Sequence, residues 1–506
     1  MNRPKALSLY HILLVLLVVF ATSIRLYNLA YPNTLYFDET YYVKDAYAQQ
    51  QTGFSREWEK NVDPKTNANL TDEAFAQGEY KMEEKPNFAV HPPFGKTVIG
   101  AGIELGGVKN SFSWRISTAI LGILSVFVLV LSAKRLFLML PRANLCVGKF
   151  ISLAELFALF TGFIFCIDGQ AIVMSRIGIL DSNLAFFVVC AFYFLVVYCS
   201  NWKQNQGSFG FYTLENLRRE VFPNLRYELL VAVLCGLASG IKWSGLYFLL
   251  GFGAIILVLE FLKNKFWYTT LNNLVKSLLI AIKMLVIFGC TYLVCYIPWF
   301  LTPTAYGRSG STNPLVVIQE FFAYHISMLK FHTHLESTHA YAAKAIGWLL
   351  QLRPTSFYYK TPADCGSSEC SAHILALGNP FIWWFGLITL AVLISVTILR
   401  PSLIKVLCIM PIAMGYLPWV LLYSNRTIFT FYSIVFCPYI ALAIFFVLLN
   451  ATVNASTRKS QRVWLFATTI LCVVFLAVSV YFYPIWTGMH IPKELWQNHM
   501  WLQSWI

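Results

Sequence analysis

Long apolar runs recur along the whole chain, and they limit what it can become. The first covers residues 8–30, enough to cross a bilayer as a helix, which takes roughly 20 residues. Further runs lie near 112–133, 150–168, 182–200, 229–240, 243–262 and 277–300, and four more near 379–399, 403–423, 428–449 and 463–483. In lipid, backbone polar groups must be satisfied within the protein, so such runs become helices. The composition agrees: 58% of residues are hydrophobic and 12% charged, with a mean hydropathy of +0.60, outside the usual make-up of a soluble domain. The chain is therefore expected to be an all-α polytopic membrane protein with about 11 transmembrane helices. The two short runs flanking Gly240 fit either two spans or one bent span.

The net charge of +14 raises the question of nucleic acid. The basic residues form no single stripe, however, so nucleic acid is not an expected partner. They occupy alternate loops: Lys134 and Arg135, then Arg218, Arg219 and Arg226, then Lys263, Lys265 and Lys276, then Arg400 and Lys405, then Arg458 and Arg462. By the positive-inside rule these loops are cytoplasmic, as is the N-terminus. Residues 31–111, residues 301–378 and the tail after Tyr483 then fall on the outer face. The basic start is followed by a run with no small-residue cleavage site, which predicts an uncleaved first helix. The chain divides into an N-terminal membrane module (1–300), a second outer loop (301–378) and a C-terminal membrane region with an outer tail (379–506).

Residues 31–111 hold most of the acidic residues, with short helices expected over Glu39–Gln49 and Pro93–Gly106 at the membrane surface. The second outer loop is expected to hold one helix near Pro314–Leu329. The tail, with Trp496, Trp501 and Trp505, suggests a helix lying in the outer interface. Ten of the 12 cysteines lie in or beside apolar runs. Cys365 and Cys370 share a polar outer segment, where a disulfide is expected if that face is oxidising.

Asp38 and Glu39 sit just beyond the first apolar run. A carboxylate at that depth is partly desolvated, which raises its pKa and suits it to take a proton from a bound hydroxyl. Arg25, Arg115, Asp168, Arg176, Asp181 and Lys242 lie near the outer ends of their runs. Ionisable groups in such places default to functional hypotheses, with snorkelling (Arg25, Lys242) or an Arg176–Asp181 ion pair as the structural alternatives. His91-Pro92-Pro93-Phe94-Gly95-Lys96 holds His91 and Lys96 in a stiff turn, placing a lysine to meet a lipid phosphate or to anchor the loop at the headgroups. His325, His332, His334 and His339 match no usual zinc spacing. No P-loop, G-x-G-x-x-G or G-x-S-x-G occurs, which argues against a nucleotide-driven pump or a hydrolase domain.

Several stretches together resemble the protein O-mannosyltransferases. They are Phe37-Asp38-Glu39-Thr40-Tyr41-Tyr42, His91 to Lys96, Ser113-Trp114-Arg115-Ile116, Met174 to Ser182 around Arg176 and Asp181, and Ser239-Gly240-Ile241-Lys242-Trp243-Ser244-Gly245. Leu352 to Tyr359 and the Trp-rich tail resemble the actinobacterial branch. Eukaryotic members carry a β-trefoil domain in the later outer loop, and residues 301–378 are too few to hold one. The resemblance implies a type C glycosyltransferase (GT-C) fold in a bacterial plasma membrane, with the active site and C-terminus outside. It implies inverting transfer of mannose from polyprenyl-phosphate mannose to Ser or Thr hydroxyls of exported proteins, with the export machinery as a candidate partner. The family's acidic pair falls on Asp38 and Glu39 and its essential arginine on Arg115. The donor phosphate is expected at Arg115, Lys96 and His91, with Arg176, Asp181, Lys242 and Asp168 in support. No metal or other cofactor is expected, since the lipid-linked sugar is a substrate and cationic side chains can stabilise a phosphate leaving group. A GT-C transferase acting on a lipid or asparagine is the alternative, and a transporter is the rival from another class.

Overall fold

The structure, a computed structural model, describes residues 8–59, 70–147, 150–206, 226–262, 270–335, 338–361, 369–423 and 426–506. Cys365 and the basic residues Arg218, Arg219, Lys263 and Lys265 lie outside them.

The chain opens with α1 (Leu9–Leu26) and enters the first outer segment through α2 (Glu39–Thr52). The strands β1 (Arg56–Trp58) and β2 (Met82–Pro86) pair across α3 (Leu70–Gln77), and α4 (Phe94–Gly106) leads back to α5 (Ser111–Phe137). The short pair β3 (Cys146–Val147) and β4 (Ile151–Ser152) precedes α6 (Leu153–Ile167). Ser152 and Glu155 close a capping box at the start of α6, which satisfies two otherwise orphaned backbone donors. Then follow α7 (Gly169–Met174), α8 (Leu180–Gln206), α9 (Tyr227–Ser239), α10 (Gly245–Phe261) and α11 (Thr270–Cys295). The second outer segment holds α12 (Ile297–Leu301), α13 (Pro314–Thr333), β5 (Thr355–Lys360) and β6 (Cys370–Ala376). The chain ends with α14 (Pro380–Leu399), α15 (Leu403–Leu422), α16 (Cys437–Val453), α17 (Arg458–Thr487), β7 (Ile491–Pro492) and α18 (Lys493–Asn498).

Seven of these helices, α1, α5, α8, α11, α14, α15 and α17, are long and apolar enough to cross a membrane. The shorter apolar helices α6, α9, α10 and α16 account for the other four runs. The chain is thus a multi-pass membrane protein. The centre is α8 packed on α5 and α9, with α16 bridging from α6 to α14 and α17. Close approach depends on small residues, as in membrane bundles generally. A side chain at Gly162 of α6 would come within 2.2 Å of Val130 on α5.

One open reading is resolved and three details differ from the sequence reading. The runs flanking Gly240 form two helices, α9 and α10, which pack against each other across a break at residues 240–244. The run assigned to 428–449 does not become helical until Cys437; Thr430–Val435 is a 3-10 turn, and Pro438 in the first turn of α16 sets the start. The second outer segment contains an antiparallel sheet, β5-β6-β7, which joins it to the tail. The tail itself is no free interfacial helix. Trp505 is fully buried, and its indole N–H donates to the Gln351 carbonyl at 2.8 Å. Trp496 donates to His373 Nδ1 at 3.0 Å. Cys370 on β6 is disulfide-bonded.

Trp505 therefore works as a plug. Trp505→Ala should cost about 3–5 kcal/mol, the usual range for emptying a buried tryptophan site, and lower the thermal unfolding midpoint in detergent. An unchanged midpoint would show that the tail contributes no packing.

Candidate active site

Two buried guanidinium groups fix the approach to Asp38. Arg176 donates to the carbonyls of Ile24, Arg25, Tyr27 and Asn28 at 2.7–3.4 Å. It thereby closes the C-terminal end of α1, where unpaired carbonyls and the helix dipole both favour a cation. Arg115 takes over where Arg176 stops. Its Nη1 donates to Leu29 and Pro32 and its Nη2 to Thr34, at 2.9–3.1 Å. Nε and Nη2 of Arg115 also grip the two carboxylate oxygens of Glu39, each at 2.9 Å. Both side chains of this pair are fully buried. Glu39 Oε1 accepts one more bond, from the Gly178 N–H at 2.8 Å.

This geometry corrects two sequence-based expectations. An arginine has five N–H donors, and all five of Arg115's are used on protein oxygens; none is left for a phosphate. Glu39 faces Arg115 instead of a substrate. Both hold the loop in place. The anticipated Arg176–Asp181 pair does not form either, since Asp181 accepts from Lys242 Nζ at 2.7 Å. Asp168 lies elsewhere, tied to the Asn379 N–H, the Trp383 indole and the Ala171 N–H at 2.9–3.1 Å. Arg25 is buried beside Cys166.

Asp38 turns the other way. The residue before it, Phe37, has a positive φ of 52° and packs its ring on Phe357 and Phe431. That turn sends the two adjacent carboxylates in different directions. Asp38 makes no ion pair among the described residues. Burial pushes its pKa up to about 6, with Lys242 pulling it down and Asp181 pushing it further up. Lys242 is buried with its ammonium 5.1 Å from the Tyr432 ring centre.

Beside this group lies a cleft of about 80 Å³ whose polar lining includes His91, Asp181, Lys242, His332, Arg426 and Tyr432. His332 Nε2 lies 2.8 Å from the Val90 carbonyl and Nδ1 lies 3.1 Å from Arg426 Nη2. A carbonyl only accepts and a guanidinium only donates. His332 is therefore neutral, with its proton on Nε2, and it orients Arg426. Burial and the Arg426 charge hold its pKa down to about 4. Nε of Arg426 is buried in this wall with no partner among the described residues. His91 stacks on His332 at 4.9 Å and is kept neutral by burial and the cations around it. Lys96 is drawn away, 2% exposed and 3.2 Å from Asp45.

Arg426, His332 and Tyr432 were missed by the sequence reading. The available signal was Arg426 itself, an arginine in a short connection that the positive-inside pattern assigns to the outer face. Among the described residues no three His, Cys, Asp or Glu side chains converge. His325, for example, is spent on the Phe321 carbonyl and the Tyr292 hydroxyl, at 2.8 and 2.9 Å.

The positioning role of Arg115 has a distinct signature. Arg115→Lys keeps the charge but has three donors where five are used, so the loop should loosen and the thermal midpoint fall together with activity. Breaking such a buried pair costs about 3–5 kcal/mol. Normal stability in Arg115→Lys would refute the assignment.

Comparison with known proteins identifies the family of the chain. Residues 66–303 match the family model described as dolichyl-phosphate-mannose-protein mannosyltransferase. Residues 317–505 match the C-terminal four-transmembrane region of protein O-mannosyltransferase. The polyprenol-phosphate-mannose--protein mannosyltransferase of Mycobacterium tuberculosis is 27% identical over 452 residues, 84% of this chain and 83% of that one. Its counterpart from Corynebacterium glutamicum is 27% identical over 456 residues, with 84% and 83% covered. The fold matches the S. cerevisiae protein O-mannosyltransferase Pmt1-Pmt2 complex bound to the sugar donor, with a TM-score of 0.72 over 99% of this chain and 93% of that chain, at 14% identity. With family matches covering both halves of the chain in order and the same fold throughout, the chain belongs to the protein O-mannosyltransferase family and is a membrane glycosyltransferase of the GT-C type.

Proposed function

We propose that the chain transfers mannose from polyprenyl-phosphate mannose to Ser or Thr hydroxyls of polypeptides at the outer face of the membrane, with Asp38 as the base. The observation that carries this reading is a carboxylate, Asp38, with a raised pKa under the influence of Lys242, which in turn lines a cleft together with Arg426. Asp38 takes the hydroxyl proton as the oxygen attacks C1 of the mannose. The C1–O bond to phosphate breaks on the opposite side, and the electron pair leaves with the phosphate. A single displacement of this kind inverts the anomeric centre. The polyprenyl phosphate is a stable leaving group and needs positive charge more than a proton. Arg426 and Lys242 supply that charge in place of Arg115 and Lys96, and neutral His91 offers a hydrogen bond. The outer-face assignment rests on the basic loops at the other ends of the helices, and it lets acceptor segments meet the site as they leave the export machinery.

The test is mannose transfer by the purified chain to a Ser/Thr peptide, with the product linkage determined chemically. An O-linked mannoside supports the reading; sugar on asparagine or on a lipid would replace it. Asp38→Asn should lower turnover about a hundredfold or more, with donor binding little changed. Turnover of the parent protein should be steady above about pH 6 and fall roughly tenfold per unit below it, as the base becomes protonated. A flat profile across pH 5–7 would exclude Asp38 as the titrating base.

Arg426→Lys separates the two arginines. Lysine cannot span two phosphate oxygens, so the donor KM should rise about tenfold or more while the thermal midpoint stays put. If donor kinetics are unchanged, the phosphate is held elsewhere.

A further inference from the structure

A second charged cleft lies at the opposite ends of α9, α10 and α11. Lys242 and Ser244 sit in the break between α9 and α10, beside the Asp38 site, whereas Arg226 precedes the first residue of α9 and Glu260 is in the last turn of α10. The 13 residues of α9 separate the two places, about 20 Å along a helix. Here an open cleft of about 300 Å³ is lined by Arg226, Glu228, Glu260, Lys276, Ile280 and Lys283.

Its setting is lipid. Lys276, Ile280 and Lys283 follow one another along a single stripe of α11. Flanking that stripe, Leu278, Ile282, Leu285 and Val286 are 49–59% exposed, the surface a membrane-spanning helix presents to acyl chains. Lys283 lies well inside α11, so its ammonium is far from bulk water unless it reaches along the cleft toward the helix start. A lone lysine at such depth is costly. Among the described residues none of Arg226, Lys276 and Lys283 closes an ion pair. Glu260 is already engaged by the Tyr198 hydroxyl at 2.7 Å.

We propose that this cleft holds the phosphate headgroup of an anionic phospholipid, with its acyl chains along the exposed face of α11. Among the described residues three cations line the cleft with two carboxylates, so a phosphodiester carrying one negative charge offsets their excess, whereas a zwitterionic headgroup does not. Basic pockets between membrane helices bind such headgroups in this way. The site is separate from the Asp38 cleft and does not depend on the transfer reaction.

The test uses the full chain purified in mild detergent and placed in nanodiscs of phosphatidylcholine with a minor share of phosphatidylglycerol. Native mass spectrometry should find phosphatidylglycerol retained in preference to phosphatidylcholine, and its addition should raise the thermal midpoint. The double variant Lys276→Gln/Lys283→Gln should retain it about tenfold less well, while Lys276→Arg/Lys283→Arg should keep it. Lys459→Gln, at an exposed lysine in the first turn of α17, should behave as the parent. Equal retention by the glutamine variant would overturn the proposal, as would equal retention of phosphatidylcholine. Equal stabilisation by inorganic phosphate or glycerol phosphate would also overturn it, by showing a soluble-anion site.

Discussion

The buried pair of Glu39 and Arg115 is the constraint on which the reaction centre depends. Removing both charges from water costs several kcal/mol per ion, and the structure offsets that cost by satisfying every donor on the arginine. Two of its bonds go to Glu39 and three to the carbonyls of Leu29, Pro32 and Thr34. Those carbonyls belong to an irregular segment that leaves the membrane, where backbone groups have neither a helix nor free water to pair with. Arg176 does the same for the four carbonyls just before it. The two arginines thus replace the hydrogen bonds that a helix would have provided, and they leave the chain with one course from α1 to Asp38.

Two adjacent carboxylates then acquire opposite characters from their surroundings. Glu39, gripped by a guanidinium and a backbone N–H, is tied into the fold. Asp38, one residue earlier, is half-buried and has no ion pair among the described residues, and desolvation raises its pKa toward neutrality. A base with such a pKa is still largely ionised at pH 7 and binds a proton more strongly than an exposed carboxylate. The turn at Phe37 separates the roles, and the ring that stabilises this turn packs on Phe357 of β5 and on Phe431. Residues 355–360 and the 3-10 turn before α16 are in this way coupled to Asp38, the proposed base, through the Phe37 ring.

What the sequence disclosed follows from where its signals are local. Apolar runs located the seven helices that are long and apolar enough to cross a membrane among the described residues, because about twenty apolar residues have one stable fate in lipid. The Asp38-Glu39 motif marked the loop in which the proposed base lies, and Asp181 and Lys242 line the cleft beside it. Pairing was less legible. Arg176 and Asp181 are near in sequence, yet their partners are Tyr27 and Lys242, from distant elements. Arg115 was read as a phosphate ligand because charge alone does not show how many of its donors the fold has already taken. Trp496 and Trp505 were read as interfacial anchors because an aromatic residue marks a membrane surface and a packed core equally well.

The same interruptions that blurred the helix count also make the site. Non-helical backbone at the end of a membrane helix is tolerated where it is buried in protein or lines a polar cavity. The break at residues 240–244 delivers Lys242 and Ser244 to the cleft, the connection after α15 delivers Arg426, and the 3-10 turn before α16 delivers Tyr432. Each lies where an apolar run looked continuous or nearly so. A regular helix would project a lysine or arginine sideways into lipid or a neighbouring helix; a broken one lets the side chain leave from an end, where carbonyls and ordered rings can receive it. His332, reaching from α13 to Arg426, completes this arrangement: a neutral imidazole can hold a guanidinium by one nitrogen without neutralising it. The positive charge therefore remains free for an incoming anion while its direction is fixed.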